Sequence, residues 1–253
     1  MKLQDKVAII TGAGSGMGKA MAILFAQEGA KVVAADINEE AVMEVVSQIT
    51  ESGGQAAAIK TDVTNEEDIE RMVQSAVETF GSLDVLVNNS GIMDDFKTIT
   101  NVSDEHWDRV LSINLTAPMK ISRAAVDFMM KQEQGGVIIN NASVGGLYGA
   151  RGGSAYVAAK HGLVGLTKNI GAVYAKKGIR CNAIAPGGVD TNINSHIQNP
   201  DPLGLEAIGG IQGSMPRSAD PMEIAQVALF LASNESSFVN GTTIVADAGW
   251  SAF

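Results

Sequence analysis

Short β-branched and apolar runs alternate along the chain with longer stretches in which apolar positions recur every three or four residues. The runs Val7–Ile10, Lys31–Ala35, Ala56–Lys60, Val85–Val87, Val137–Asn140, Ile179–Ile184 and Thr243–Ala246 read as strands. Between them, Lys19–Gln27 places Ala20, Ile23, Leu24 and Gln27 on one helical face, and Glu66–Phe80 does the same with Ile69, Met72, Val73, Ala76 and Phe80. Ser154–Tyr174 also reads as a helix. Thr64 is a candidate N-cap for the second stretch, with Glu67 three residues later. Gly29, Gly53, Gly81 and Gly178 fall where helices should stop, as left-handed C′ residues do. Strands alternating with helices predict a doubly wound α/β fold, a seven-stranded parallel sheet with helices on both faces. In such sheets ligands bind beyond the carboxyl ends of the strands, so chemistry is expected just after each strand.

The residues at those positions agree with that forecast. After the first run comes Thr11-Gly12-Ala13-Gly14-Ser15-Gly16-Met17-Gly18 and then a helix. Glycine permits a tight turn and lets a pyrophosphate approach the backbone, and the helix presents its positive end to the phosphates. The spacing is T-G-x-x-x-G-x-G, since the sixth residue from Gly12 is Met17 rather than glycine. Taken alone, such a turn is also an ordinary tight connection. Asp36 sharpens it. This acid ends the second run, where it can accept bonds from adenosine ribose hydroxyls. It also repels a 2′-phosphate, and neither Ser15 nor Ile37 brings a compensating cation, so NAD(H) is expected over NADP(H). Asp62-Val63 can meet an adenine edge, and Asn88-Asn89-Ser90-Gly91 can tie neighbouring strands through side-chain amides.

Tyr156 and Lys160 lie four apart in the long helix, on one face. A free phenol titrates near ~10, so acid–base work near neutrality needs a shift of about three units, or ~4 kcal/mol. One positive charge at ~4 Å, at an effective dielectric of ~20, is worth about that much. Ser143 follows the fifth strand and can hold a substrate oxygen for Tyr156, and Asn114 can link Lys160 to solvent through water. Alone, Ser143 is a loop serine, Asn114 a polar interruption of a helix, and Y-x-x-x-K a common surface pair.

Together these residues resemble the compact branch of the short-chain dehydrogenase/reductase family, from Lys6 to Gly249. The glycine motif matches Thr11–Gly18, and N-N-A-G matches Asn88–Gly91 with Ser90 in place of alanine. The Asn-Ser-Tyr-Lys tetrad falls on Asn114, Ser143, Tyr156 and Lys160, and P-G-x-x-x-T matches Pro186-Gly187-Gly188-Val189-Asp190-Thr191. The resemblance implies one Rossmann-type domain over 1–253 and reversible hydride transfer between NAD and a secondary alcohol or ketone. It implies cofactor contacts at Gly12, Ser15, Gly16, Met17, Gly18, Asp36, Asp62, Val63, Asn89, Tyr156, Lys160, Pro186, Val189 and Thr191. Thr191 would meet the carboxamide and Lys160 the nicotinamide ribose. A homotetramer is also implied, with the helix before the fifth strand and Ser154–Tyr174 at an interface. A 3-oxoacyl-carrier-protein reductase and a non-catalytic NAD(H)-binding protein are the alternatives.

Asp190–Asp220 breaks the strand–helix rhythm with three asparagines, three prolines and four glycines, and reads as an irregular substrate lid. Ile193, Ile197, Leu203, Leu205, Ile208 and Met215 would form its apolar underside, and Met93, Asp94, Phe96, Gly145, Leu147 and Tyr148 are further wall candidates, each as readily a packing residue. Charge narrows the partners. Lys and Arg total 18 against 28 Asp and Glu, a net charge of −10, which disfavours nucleic acid and anionic membranes. One cysteine and three scattered histidines argue against a disulfide framework and a metal site. Charged residues at Asp5 and Lys6 interrupt any signal-peptide pattern, and no apolar run nears the ~20 residues that span a bilayer, so a cytoplasmic protein with a small-molecule substrate is expected. His161 should point away from Lys160, His106 should be a surface residue, His196 lies in the lid and Cys181 should be buried. Trp250 and Phe253 are expected to pack on a neighbouring subunit.

Overall fold

The computed structural model describes residues 1–252, and of His196 it describes the backbone only. Seven strands form one parallel sheet: β1 (Val7–Thr11), β2 (Lys31–Asp36), β3 (Gln55–Lys60), β4 (Val85–Asn88), β5 (Gly136–Asn141), β6 (Ile179–Pro186) and β7 (Thr243–Ala246). Their order is β3-β2-β1-β4-β5-β6-β7. The order reverses between β1 and β4, which opens a crevice at their carboxyl ends. All seven strands occur where the hydropathy pattern puts them, with bounds moved by at most two residues.

Period-two alternation explains why the sheet takes a layer on each side. In β1, Ala8 and Ile10 face a core with Met21, Phe25 and Leu229, while Val7 and Ile9 face another with Met72, Ile121 and Met129. The first core lies under α1 (Gly16–Gln27), α2 (Glu39–Glu51) and α8 (Pro221–Ala232). The second lies under α3 (Glu66–Phe80), α5 (Ala117–Met129) and α6 (Ser154–Tyr174), with α4 (Asp104–Leu111) leading into α5. A strand buried on both faces is apolar along its run, as β1 and β4 are up to the polar residues that end them, Thr11 and Asn88.

Two local expectations change. Asn65, not Thr64, caps α3, accepting the Asp68 amide at 3.1 Å, while Thr64 is taken up by the Asp62 carboxylate. The segment after β6 is less irregular than its composition implies, for it contains α7 (Pro202–Gln212). Asp201 caps that helix and Pro202 opens it, a pair that favours a helix start.

Polar ties cross the buried sheet near its reactive edge. Asn88 donates to Asn140 Oδ1 at 2.8 Å and to Ser122 at 3.0 Å, and Asn140 donates to Thr167 at 2.9 Å. Four elements are thus linked through two buried amides, and burial makes each lost partner costly. Asn140→Ala takes one partner each from the Asn88 amide and the Thr167 hydroxyl, and is expected to lower unfolding free energy by about 1–3 kcal/mol in urea titration. An unchanged midpoint would show that these ties carry no stability.

Candidate active site

The glycine turn is built by close approach. Gly12 and Gly16 have φ of +65° and +51°, and a side chain at Gly18 would overlap the Gly12 carbonyl. Asn89 binds the turn to the sheet: its amide donates to the Thr11 carbonyl at 3.0 Å and the Gly12 carbonyl at 3.3 Å, and its oxygen accepts from Asn141 at 2.8 Å. With its side chain thus engaged, any cofactor contact falls to the Asn89 backbone. Met17 likewise turns inward, its sulfur 3.5 Å from the Asn141 amide. Ser15 precedes α1 without capping it, so its exposed hydroxyl is free among the described residues. Asp36 accepts from Gly14 at 2.9 Å and from Asn38 at 2.9 Å. These bonds aim the carboxylate at the turn. Asp62 spends one oxygen on the amide and hydroxyl of Thr64, and Val63 packs against the second core. Thr191 reaches the same turn, within 3.2 Å of where a Cβ on Gly16 would stand. The glycine cradle, the strand-end acid and the helix amino terminus fit a dinucleotide.

Tyr156 and Lys160 sit in the first two turns of α6, both buried. The helix begins at Gly153, which has no side chain with which to cap it. Asp94, wholly buried in the loop after β4, does so from 59 residues away. Its two oxygens accept the amides of Gly153 at 2.8 Å and Tyr156 at 2.9 Å, and the Ser154 amide donates to the Lys97 carbonyl at 2.8 Å. Asp94 is therefore a cap rather than a pocket wall. Glycines 145 and 152 flank the phenol ring, where a Cβ would lie 3.3 and 2.6 Å from ring carbons. Ser143 closes the turn after β5, accepting from the Gly145 amide at 3.0 Å, with its hydroxyl near enough to the phenol to act on its pKa.

The Lys160 ammonium donates to the Asn141 carbonyl at 2.8 Å and lies 5.6 Å from the centre of the Tyr156 ring. Asn114 occupies a π-helical turn, Ser112–Thr116, a widening often found at functional sites. It exchanges two hydrogen bonds with the Ile92 backbone, at 2.9 and 3.0 Å. A Cβ on Gly91 would stand 2.7 Å from Asn114 Oδ1 and 3.6 Å from Lys160 Nζ, so both groups face one small gap. All four tetrad positions are thus gathered at the carboxyl edge of β4 and β5.

Burial governs the charges here. It raises the Tyr156 pKa above its ordinary value; the Ser143 hydroxyl opposes the shift and the Asp94 charge adds to it. The expected lowering by Lys160 is not seen: burial sets the shift, and the ammonium is bonded to the Asn141 carbonyl instead. Burial also lowers Lys160 to about 8.

Other positions behave as follows. His161 is exposed, bonded to the Val157 carbonyl at 2.9 Å, and Cys181 is fully buried, its thiol pushed up to about 12 by burial. His106 is half-buried rather than a plain surface residue, and its Nε2 has no partner among the described residues. Of the lid residues, Leu203 and Leu205 face outward, while Ile193, Ile197, Ile208 and Met215 are half-buried, Met215 against Gly188. Trp250 is not left for a neighbour. It is 5% exposed within its own chain, donating to the Ile211 carbonyl and Ser214 hydroxyl at 3.1 Å beneath the Arg151 guanidinium. The His196 side chain and Phe253 lie outside the described residues.

A groove of about 360 Å³ runs from Gly16 and Lys19 to Asp190, Thr191 and Met222. A larger cavity, about 560 Å³, opens at the other edge of the sheet, beside Lys6, Asp84 and Arg180. Its charges are already engaged, Lys6 with Asp84 and Arg180 with three backbone carbonyls.

The family model described as enoyl-(acyl carrier protein) reductase matches residues 12–251. A 3beta-hydroxysteroid dehydrogenase 2 from Eggerthella lenta is 45% identical over 252 residues, covering 99% of this chain and 96% of that protein. A cyclohexanol dehydrogenase from an Acinetobacter species is 42% identical over 249 residues, 98% of this chain and 96% of that one. The crystal structure of levodione reductase superposes with a TM-score of 0.90 at 36% identity, covering 99% of each chain. With its tetrad and glycine turn in place, the chain belongs to the short-chain dehydrogenase/reductase family. It is a nicotinamide-dependent oxidoreductase acting between a secondary alcohol and a ketone.

The lowered Lys160 pKa has a stability consequence. Below about 8 the lysine is charged in both the folded and the unfolded chain. Between about 8 and its ordinary 10.5 the unfolded chain holds more protons, so stability rises with pH across that window. Lys160→Met removes this contribution. The wild-type minus variant difference in unfolding free energy is expected to climb from pH 8 to 10.5; a flat difference would contradict the assignment.

Proposed function

We propose that the protein interconverts a ring-borne secondary alcohol and its ketone with NAD(H), using Tyr156 as the proton donor and acceptor. The observation that carries this reading is the buried phenol beside Ser143, with Lys160 one turn along the same helix. Bound NAD(H) supplies the hydride acceptor or donor. Ser143 holds the substrate oxygen, and Tyr156 moves the proton at that oxygen. A phenol raised by burial is protonated at neutral pH, which suits it to protonate the oxygen in the reductive direction. Lys160 holds the nicotinamide ribose and, with Asn114, gives the proton a route past Gly91 to solvent. The relatives named for a hydroxysteroid and for cyclohexanol support a ring alcohol, and the segment 190–220 serves as the lid over it.

NAD is favoured over NADP by the Asp36 carboxylate, which at the end of β2 and beside the glycine turn would repel a 2′-phosphate. Its neighbour Ile37 is exposed and uncharged, and Ser15 is neutral. The family-model description favours a second reading, reduction of an acyl chain on a carrier protein. The net charge of −10 would repel an acidic carrier, so that reading is the weaker. A single-domain homotetramer in the cytoplasm completes the proposal. Its supports are family membership and a lone cysteine kept buried as a thiol; among the described residues no helix is long and apolar enough to cross a membrane.

Tyr156→Phe is expected to cut cyclohexanol oxidation by about 10²–10⁴-fold while NADH binding, read by fluorescence, stays intact. Substantial residual turnover would require another acid. Wild-type kcat/KM should favour NAD over NADP by about tenfold or more, ~1.4 kcal/mol, and Asp36→Ala should narrow the gap. Comparable turnover with both cofactors would overturn the assignment. An acyl-thioester assay with both cofactors separates the carrier-protein reading.

A further inference from the structure

The segment that leaves β6 is tied down at two places. At its neck Val189 pairs with Ala219, the Asp190 amide donates to the Ala219 carbonyl at 3.0 Å, and the Ala219 amide donates to the Gly188 carbonyl at 2.9 Å. The second tie is Asp201, a carboxylate only 2% exposed although its neighbours Pro200 and Pro202 are exposed. One of its oxygens caps α7, accepting from Leu203 at 3.0 Å and Gly204 at 3.5 Å. The other crosses to the loop after β4, accepting the Thr98 amide at 3.0 Å, the Thr98 hydroxyl at 2.7 Å and the Asn101 amide at 2.9 Å. The Thr98 hydroxyl, followed by the other donors, holds this carboxyl well below the usual range, so its charge persists at working pH.

The crossing is reinforced on both sides. The Asp201 amide donates to the Asp95 carbonyl at 2.9 Å, Lys97 Nζ to the Asn199 carbonyl at 2.7 Å, and the Gln198 amide to Asp95 Oδ1 at 3.2 Å. Gly204 lies so near that a Cβ there would overlap the Phe96 carbonyl. The loop is itself held in an unusual shape, with Asp95 and Phe96 both at φ +53°, a conformation that costs non-glycine residues energy and persists only where the surroundings impose it. The other face of this loop, through Asp94 and Lys97, caps α6. Four residues, 94–97, therefore join the start of the lid helix to the start of the helix that carries Tyr156.

We propose that Asp201 is a positioning residue. It latches the lid onto the loop after β4, so that the lid closes in one register over the ring substrate, and the loop couples that closure to the Tyr156 helix. This rests on the reading of 190–220 as the substrate lid. The latch is a hydrogen-bonded carboxylate with five neutral donors and, among the described residues, no ion-pair partner, so salt should not open it.

The test uses the full-length enzyme with Asp201→Ala, Asp201→Asn and Thr98→Val. Asp201→Ala should raise the KM for cyclohexanol by about tenfold or more, lower kcat less, and leave NADH affinity unchanged. Limited proteolysis with NADH present should cut within 190–220 in this variant and spare the wild type. Asp201→Asn, with one acceptor oxygen in place of two, should fall between, and Thr98→Val should act in the same direction from the opposite side of the latch. Adding Thr98→Val to Asp201→Ala should change little further, because both remove the same contact. Wild-type KM and wild-type protection in Asp201→Ala would overturn the proposal. So would KM, kcat and NADH affinity worsening together in step with a lower Tm, the mark of a merely structural residue. If the wild type turns over no ring alcohol yet Asp201→Ala alone is cut in the lid, the latch stands and the substrate reading fails.

Discussion

The buried carboxylate of Asp94 accepts the amide hydrogens of Gly153 and Tyr156 and so fixes where a 21-residue helix begins. That helix start is the reference point for the rest of the site. Tyr156 lies in the first turn, Lys160 in the second, and the ring of Tyr156 is then caught between glycines 145 and 152. A cap supplied from within the helix segment would have needed a polar side chain at Gly153, and there is no room for one: a Cβ would stand 2.5 Å from the Asp94 carboxylate. The acid thus supplies from the sheet's edge what the helix cannot supply for itself, and ties the proposed proton-transfer group to the end of β4.

Burial then sets the chemistry. Two titratable groups one helical turn apart are both removed from water, and burial moves them in opposite directions, the phenol up and the ammonium down to about 8. Each shift favours the neutral form, since that is what a low-dielectric site does to any isolated charge. The protein alone therefore holds a neutral phenol ready to donate. The sheet's side-chain amides work at the same edge: Asn88, Asn89, Asn140 and Asn141 stiffen the strand ends that carry the glycine turn, the Ser143 turn and the carbonyl that holds Lys160.

Much of this was legible along the chain, for identifiable reasons. Strands buried on both faces announce themselves as apolar runs, and glycines that need positive φ mark the helix ends and the cofactor turn. The tetrad was legible because the family motifs carry it, not because spacing alone would. What escaped are interactions between distant residues. The Asp94 cap spans 59 residues, and nothing local to Gly153 or Asp94 betrays it. The π-helical turn at Asn114 has no period that a hydropathy pattern can show. Trp250 looked like a surface residue in want of a neighbour because its partners, Ile211, Ser214 and Arg151, come from the end of α7 and from the segment before α6. The helix in the lid did have a visible signal, Asp201-Pro202, but surrounding prolines, asparagines and glycines masked it.

The central claim is that the Asp94 carboxylate, by capping α6, places Tyr156 for proton transfer. The most direct test is kcat for cyclohexanol oxidation at saturating NAD in folded Asp94→Ala and Asp94→Asn enzymes, beside NADH affinity. The account predicts that kcat falls by about tenfold or more in Asp94→Ala and by less in Asp94→Asn, with NADH affinity unchanged. A folded Asp94→Ala enzyme that keeps the wild-type kcat would contradict it.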